Sequence, residues 1–508
     1  MGTNDKIWKR EEVCSRILAG ETIFIYNGKL IRVPASWLAK HPGGRLAILH
    51  FVGRDATDEV NAFHPEAPLK QLNKYAIGRV EVGPSGWEPL IPPVMTGWVR
   101  KKNESGEEKW EREAETWHDS TNEYGSTPSS EILLIQKGAV EQNSEARPTI
   151  SSITPPPTAL NLKTQQQHMK AYRALHAEIT KAGLYKTPYL TGYGPEVARY
   201  TFVAIVSVLA YRQQWFWTSA FFWAACSTNS HSPYMTSDTM ALRITGWWVD
   251  NHNIHHLVTN HPSHDPDIQH IPFFAISPKF LNSLWSSYYK RIMAHDAFSK
   301  VFLSVQHKLF YVVMSLARFN LYANSYGFLI KSGIFQGRRG WTWWLEVVGI
   351  VFYWTWYINV LRGCGDFKTG LAYFLISHIV PSPLHVQIVL SHFSRSTEDL
   401  GPTESFLARQ LRTTTDVICP PHLAFFHGGL HLQVTHHLFP RLPRHNLAAA
   451  SQIVKRYAAE QGLEYAEFGF AAGNREVIGV LADVASQVGV VGMVAKSEVE
   501  KAVRGEGH

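Results

Sequence analysis

The sequence predicts a small α+β domain followed by an all-α, multi-helix transmembrane domain. Three observations carry that prediction. The first 80 or so residues alternate short apolar strands, such as T-I-F-I-Y and L-I-R-V-P, with helical stretches. Far downstream, Trp341–Leu361 and Gly370–Leu390 are apolar runs of about the 20 residues that cross a bilayer core. Between these regions lies a polar stretch rich in Pro, Ser, Thr and Glu, with too little apolar content for a core. At 508 residues the chain exceeds one compact core in any case.

Composition narrows the function class. The chain carries 25 His, 17 Trp, 20 Tyr and 26 Phe. Excess histidine points to metal, and Trp and Tyr at the ends of apolar runs point to membrane interfaces. The net charge of +7 includes no basic run long enough to track phosphates, so nucleic acid is not an expected partner. The excess instead suits cytosolic loops facing anionic lipid. Cys14, Cys226, Cys364 and Cys419 are scattered without a C-x-x-C pair, as expected on a reducing face. The opening M-G-T-N-D-K-I-W-K-R reads as neither a signal peptide nor a myristoylation signal.

Along the chain we expect an α+β unit at 1–82, a disordered linker at 83–163, a membrane domain at 164–470 and a C-terminal tail at 471–508. Gln165 to Leu184 has the pattern of an amphipathic helix ending at Gly183, expected to lie along the membrane. Further apolar runs are Tyr200–Tyr211, Trp215–Cys226 and Val301–Leu316, the last interrupted by His307 and Lys308.

Two groups of histidines carry the chemistry. In the first unit, His41 sits in H-P-G-G and His64 in F-H-P. A haem used for electron transfer needs two strong-field axial ligands, which two imidazoles supply. This segment, roughly residues 8–80, resembles cytochrome b5. The resemblance implies that His41 and His64 are the axial ligands of haem b, in a pocket lined by Phe63, Leu46, Ile48 and Leu49.

In the second domain, N-H-N-I-H-H sets His252, His255 and His256 at i, i+3 and i+4 on one helix face. Q-V-T-H-H supplies Gln433, His436 and His437. Neutral imidazole is a good iron ligand, and two such clusters can enclose two non-haem irons. Isolated histidines such as His168, His176 and His307 read as packed or exposed side chains. From about 165 to 460 the chain resembles the front-end membrane desaturases that carry an N-terminal cytochrome b5 domain, whose third histidine box begins with Gln. The stretches H-D-P-D-I-Q-H-I-P-F-F-A-I-S and A-R-Q-L-R-T-T-T-D-V are most similar to fungal sphingolipid delta-8 desaturases.

The resemblance implies di-iron ligands at His252, His255, His256, His436 and His437, with Gln433, His427 and His392 as further candidates. No catalytic residue is expected beyond the metal ligands, because an unactivated C–H bond has no acidic proton to remove. The implied activity is O2-dependent insertion of a double bond into the long-chain base of a sphingolipid. The implied substrate is a sphingoid base or ceramide, and the implied electron donor is NADH-cytochrome b5 reductase. The implied location is the endoplasmic reticulum membrane, multi-pass, with the haem unit cytosolic. Fatty-acyl delta-5 or delta-6 desaturation, hydroxylation by the same centre, and a non-catalytic membrane-tethered haem electron carrier remain alternatives.

One departure from the family pattern bears on activity. The family has a first box, H-x-x-x-H, after its first helix pair. Here Cys226 to Trp247 reads C-S-T-N-S-H-S-P-Y-M-T-S-D-T-M-A-L-R-I-T-G-W, with His231 as its one histidine. Back-translation of Cys226 to Ala241 with suitable synonymous codons, read two nucleotides downstream, yields F-H-Q-L-T-F-T-V-H-D-V-G-H-N-G. Met235-Thr236 forces the shifted Asp and Met240-Ala241 the shifted Gly, whatever codons are chosen. We therefore expect this stretch to be out of frame, with the frame restored before Gly246. About a dozen residues separate Ala241 from His252, too few for a membrane hairpin, so part of the domain is expected to be missing, through a mispredicted intron or a real lesion. The chain as written is expected to lack desaturase activity while its haem unit still folds.

Overall fold

The computed structural model describes residues 6–84, 86–102, 107–113, 147–230, 246–332 and 341–504. The N-terminal unit is built on a mixed four-stranded sheet. Its elements are β1 (Ile7–Trp8), α1 (Arg10–Leu18), β2 (Thr22–Tyr26), β3 (Lys29–Val33), α2 (Ala35–Leu38), α3 (Leu46–Leu49), α4 (Thr57–Phe63), α5 (Glu66–Leu72) and β4 (Ala76–Val80). The strand order is β1-β4-β3-β2, with β1 parallel to β4 and the other pairs antiparallel. The alternation in T-I-F-I-Y divides its side chains between two small cores. Ile23 and Ile25 join Val13, Ile17 and Val52 on one face, while Phe24 and Tyr26 join Ile31, Ile48 and Phe51 on the other.

Both ends of the segment expected to be a disordered linker are folded, which corrects that expectation for its described residues. Trp87, Leu90 and Ile153 complete the core under α1, and Trp87 Nε1 donates to the Gly53 carbonyl at 3.0 Å. An antiparallel hairpin follows, β5 (Trp98–Lys102) with β6 (Glu108–Arg112), and then the short α6 (Ile150–Ile153). A few large apolar residues in a polar stretch suffice when a ready-made core lies within reach. Residues 114–146 lie outside the described residues.

Helix α7 (Leu162–Lys181) is the expected amphipathic helix, capped at its start by the Asn161 side chain. Its apolar face does not lie open to a membrane. Tyr172, Leu175 and Ile179 are fully buried against Phe406, Leu411, Val434, Leu438 and Val454. Helices α8 (Gly194–Arg212) and α9 (Phe216–Ser230) follow, and α10 (Gly246–Leu257) carries the first histidine cluster. The side chains of 226–230 and residues 231–245 lie outside what the structure describes, so of the expected out-of-frame stretch only the helical backbone of 226–230 is described.

Next come the hairpin β7 (Leu284–Ser286) and β8 (Arg291–Met293), α11 (Ala297–Ser304), α12 (Gln306–Ser315) and α13 (Ala317–Ser332). The apolar run at 301–316 is thus broken between two helices rather than forming one span. Helices α14 (Trp341–Arg362), α15 (Phe367–Ile379) and α16 (Ser382–Phe393) complete the apolar part. Among the described residues, two helical stretches are long and apolar enough to cross a membrane, Trp341–Arg362 and Phe367–Phe393. Glu346, buried within α14, accepts from the Gly246 N–H at 3.0 and 3.2 Å. That carboxylate stands at the positive end of α10 and fixes the start of the histidine-bearing helix.

The remainder comprises α17 (Phe406–Thr413), β9 (Asp416–Ile418), α18 (Ala424–His427), α19 (Gln433–Leu438), α20 (Leu447–Glu460), β10 (Glu467–Gly469) and α21 (Phe470–Arg504). The expected tail is therefore largely helix. Val477, Leu481, Val484 and Val488 of α21 are buried with Phe310, Met314 and Leu390. Their spacing of three and four residues gives the helix one apolar stripe.

Candidate functional site

In the N-terminal unit, His41 occupies the turn between α2 and α3, and His64 directly follows α4. The turn closes because Gly44 adopts φ +88°, which a side chain would resist. His41 Nδ1 lies 3.1 Å from the Gly44 carbonyl and His64 Nδ1 lies 3.0 Å from the Val60 carbonyl. Donation from Nδ1 fixes the tautomer whose Nε2 carries the lone pair, the form a metal requires. The two ring centres stand 6.0 Å apart. Two imidazoles bound to one iron from opposite sides, each nitrogen about 2 Å from the metal, put their ring centres about 6 Å apart. The pair therefore fits an axial role toward haem. Ile48 is buried in the adjoining core, with Phe63 and Leu49 at its margin.

In the second domain, α10 and α19 face each other and α16 closes the third side. Two groups of imidazoles result: His252, His256 and His436 in one, His255, His392 and His437 in the other. Within each group the ligand nitrogens lie within 4.8 Å of one another. Nε2 of His252 is 3.0 Å from Nε2 of His256, and Nε2 of His255 is 3.3 Å from Nε2 of His392. Two imidazole lone pairs this close repel unless a proton or a cation lies between them. Burial pushes His256, His436 and His437 well below the usual imidazole range, with the neighbouring histidines adding to the effect, so these rings are neutral, the form that ligates metal. His437 Nε2 is buried without a hydrogen-bond partner. A metal cation satisfies these nitrogens, and the donor set suits iron.

Carboxylates and amides outside the triads orient the rings. His255 Nδ1 lies 2.9 Å from Asp265, and burial, which alone would lower its pKa, is outweighed by Asp265 and Asp267. Asp267 also approaches His252 Nδ1 at 3.7 Å. His437 Nδ1 lies 3.0 Å from the Gln410 side-chain oxygen and 3.3 Å from Thr259 Oγ1. Such partners hold the ligating nitrogens inward.

The structure thus brings His252, His255, His256, His436 and His437 together, and adds His392. Among the described residues His427 is in neither triad. Gln433 is buried on α19, and His427 is hydrogen-bonded to Gln387. Sequence reasoning gave no role to Asp265, Asp267, Thr259 or Gln410. The two aspartates were visible in H-D-P-D as the nearest carboxylates after the box; Gln410 offered no comparable signal.

The chain matches the family described as Fatty acid desaturase over residues 227–469, and the Cytochrome b5-like Heme/Steroid binding domain over residues 9–81. It is 37% identical over 554 aligned positions to a Delta 8-(E)-sphingolipid desaturase of Emericella nidulans, covering 100% of this chain and 99% of the relative. A protein of the same description from Komagataella phaffii is also 37% identical, over 94% of this chain and 93% of its own length. A Delta(8)-fatty-acid desaturase of Helianthus annuus is 26% identical over 91% of this chain and 87% of its own. No solved structure matches the chain. Desaturases of this kind are membrane-bound oxidoreductases acting on lipid, with a di-iron centre and a haem-binding electron-transfer unit. With its haem-type histidine pair and paired histidine triads joined in one polypeptide, the chain belongs to the cytochrome b5-fused fatty acid desaturases.

Proposed function

We propose that the protein is, by descent, a sphingolipid delta-8 desaturase of the endoplasmic reticulum, multi-pass, with its haem unit on the cytosolic side and NADH-cytochrome b5 reductase as donor. The observation that carries the reading is the pair of histidine triads, walled by buried side chains, in the same chain as the histidine pair of the N-terminal unit. When bound, the cofactors would supply two electrons and O2 activation, so that two adjacent methylenes each lose one hydrogen to become a double bond, and O2 with those two hydrogens, the two electrons and two protons leaves as two waters. His41 and His64 would hold the haem. His252, His256 and His436 would hold one iron, and His255, His392 and His437 the other. Asp265 and Gln410 keep His255 and His437 turned inward. The apolar helices hold the acyl or sphingoid chain, and the polar head sets which carbons reach the metal.

The chain as written lacks the first box, and we propose that it is inactive for that reason. The alignment with the Emericella nidulans relative fits a shortened chain. It covers this whole chain and nearly all of the relative, yet runs over 554 positions against 508 residues. Relative to that protein, this chain lacks residues. In its literal form the chain would then be a membrane-tethered haem electron carrier.

Sphingoid-base and fatty-acid analysis tests the reading in a host lacking delta-8-unsaturated bases. A form carrying H-x-x-x-H should produce such bases, and the chain as written should show a Soret band without product. New double bonds in fatty acyl chains instead would favour the delta-5 or delta-6 alternative.

A further inference from the structure

The N-terminal unit does not hang from the second domain on a tether; the two interlock. Ala62 of α4 is fully buried in the apolar core formed by α7, α17, α19 and α20. Reciprocally, Leu257 at the end of α10 is buried in the core of the N-terminal unit with Ile48 and Phe51. Two arginines cross the same boundary. Arg173 of α7 donates to Asp58 at 2.8 Å and to Asp55 at 3.3 Å, and Arg441 donates to the His64 carbonyl at 2.9 Å. Nearby, His50 is fully buried with its ring centre 5.4 Å from that of His264. Burial drives the His50 pKa down to about 3, reinforced by His261 and Lys290, so it crosses the interface neutral. Apolar interlock supplies the adhesion, and charged contacts set the register.

That register has a consequence at the sites. Phe63, adjacent to His64 in sequence, meets His256 edge-on, with ring centres 6.1 Å apart and planes at 87°. We propose that Arg173 and Arg441 are positioning residues that pin the haem unit in one docked pose, with Phe63 bridging His64 and His256. Haem-to-iron transfer is then a step within one chain. The inference rests on the ligand assignments made above. When bound, the haem held by His41 and His64 would supply one electron per event to an iron held by the triads, leaving the haem oxidised and that iron reduced by one electron each. A pyridine-nucleotide-linked reductase restores the haem.

The test uses the full-length form that carries the first box, in lipid nanodiscs and loaded with haem and iron, as the parent (wild type at both arginines), Arg173→Gln and Arg441→Gln. Two readouts are followed: hydrogen exchange at 57–64 and 433–441, and oxidation of pre-reduced haem by stopped flow. The proposal predicts a several-fold rise in exchange on both faces of the interface in each variant. For Arg173→Gln the Soret band and haem potential should stay at their wild-type values. Wild-type haem oxidation should be first-order and independent of protein concentration, and several-fold slower in each variant. Unchanged exchange in both variants, or an oxidation rate proportional to protein concentration, would overturn it. If one variant fails to bind haem, the other carries the comparison. Absence of a Soret band or of bound iron in the wild type would instead refute the ligand assignments, a separate failure.

Discussion

The imidazoles of His256 and His437 stack 4.0 Å apart at an angle of 20°, yet they belong to different triads. The two candidate metal sites therefore share a wall. That arrangement suits a pair of irons acting on one O2, as in two-metal centres generally. It also makes each triad separately vulnerable.

His392 is the one ligand in the triads contributed by α16. In a form that carries the first box, His392→Ala should lower bound iron from about two to about one per chain, by elemental analysis. Retention of both irons would remove His392 from the ligand set. His436→Ala should give the same loss from the other triad.

Asp265→Asn should keep the fold but loosen His255. Replacing an outer partner of a ligating imidazole costs about 10- to 100-fold in metal affinity, so iron should be lost at correspondingly lower chelator concentrations. A titration indistinguishable from wild type would make Asp265 a structural residue only.

His64→Ala should abolish the Soret band while leaving the metal content of the triads unchanged, because the two ligand sets share no residue. Loss of both together would mean that the two units cannot be loaded independently.

Tyr172 donates its hydroxyl to the Leu438 carbonyl at 2.8 Å and stacks on Phe439, both under α7. Tyr172→Phe keeps the ring and removes the buried donor, so it should cost about 1–3 kcal/mol. Thermal unfolding of the solubilised chain measures it, and no loss would mean that the carbonyl finds another donor.

Much of the site was legible because its signals are local. His252, His255 and His256 fall on one face of a single helix, and the H-P-G-G turn announces His41. The outer partners were harder to read, since Gln410 reaches His437 from another element and Asp265 matters only once the chain folds back after α10. The linker ends misled for the same reason. Trp87 and Leu90 look isolated in a polar stretch, and only the fold brings the core of α1 to them. Helix α7 was legible as amphipathic, but periodicity cannot tell a membrane surface from a protein one. Its apolar face is covered by α17, α19 and α20.

The most direct measurement is the sequence of the transcript across the codons for Cys226 to Trp247. The account predicts a message that encodes H-x-x-x-H and an additional hydrophobic stretch, restoring the first box beside the two triads. A message that reads as the chain is written would contradict it. The protein would then be a cytochrome b5-fused electron carrier whose remaining histidine boxes are inherited but unused.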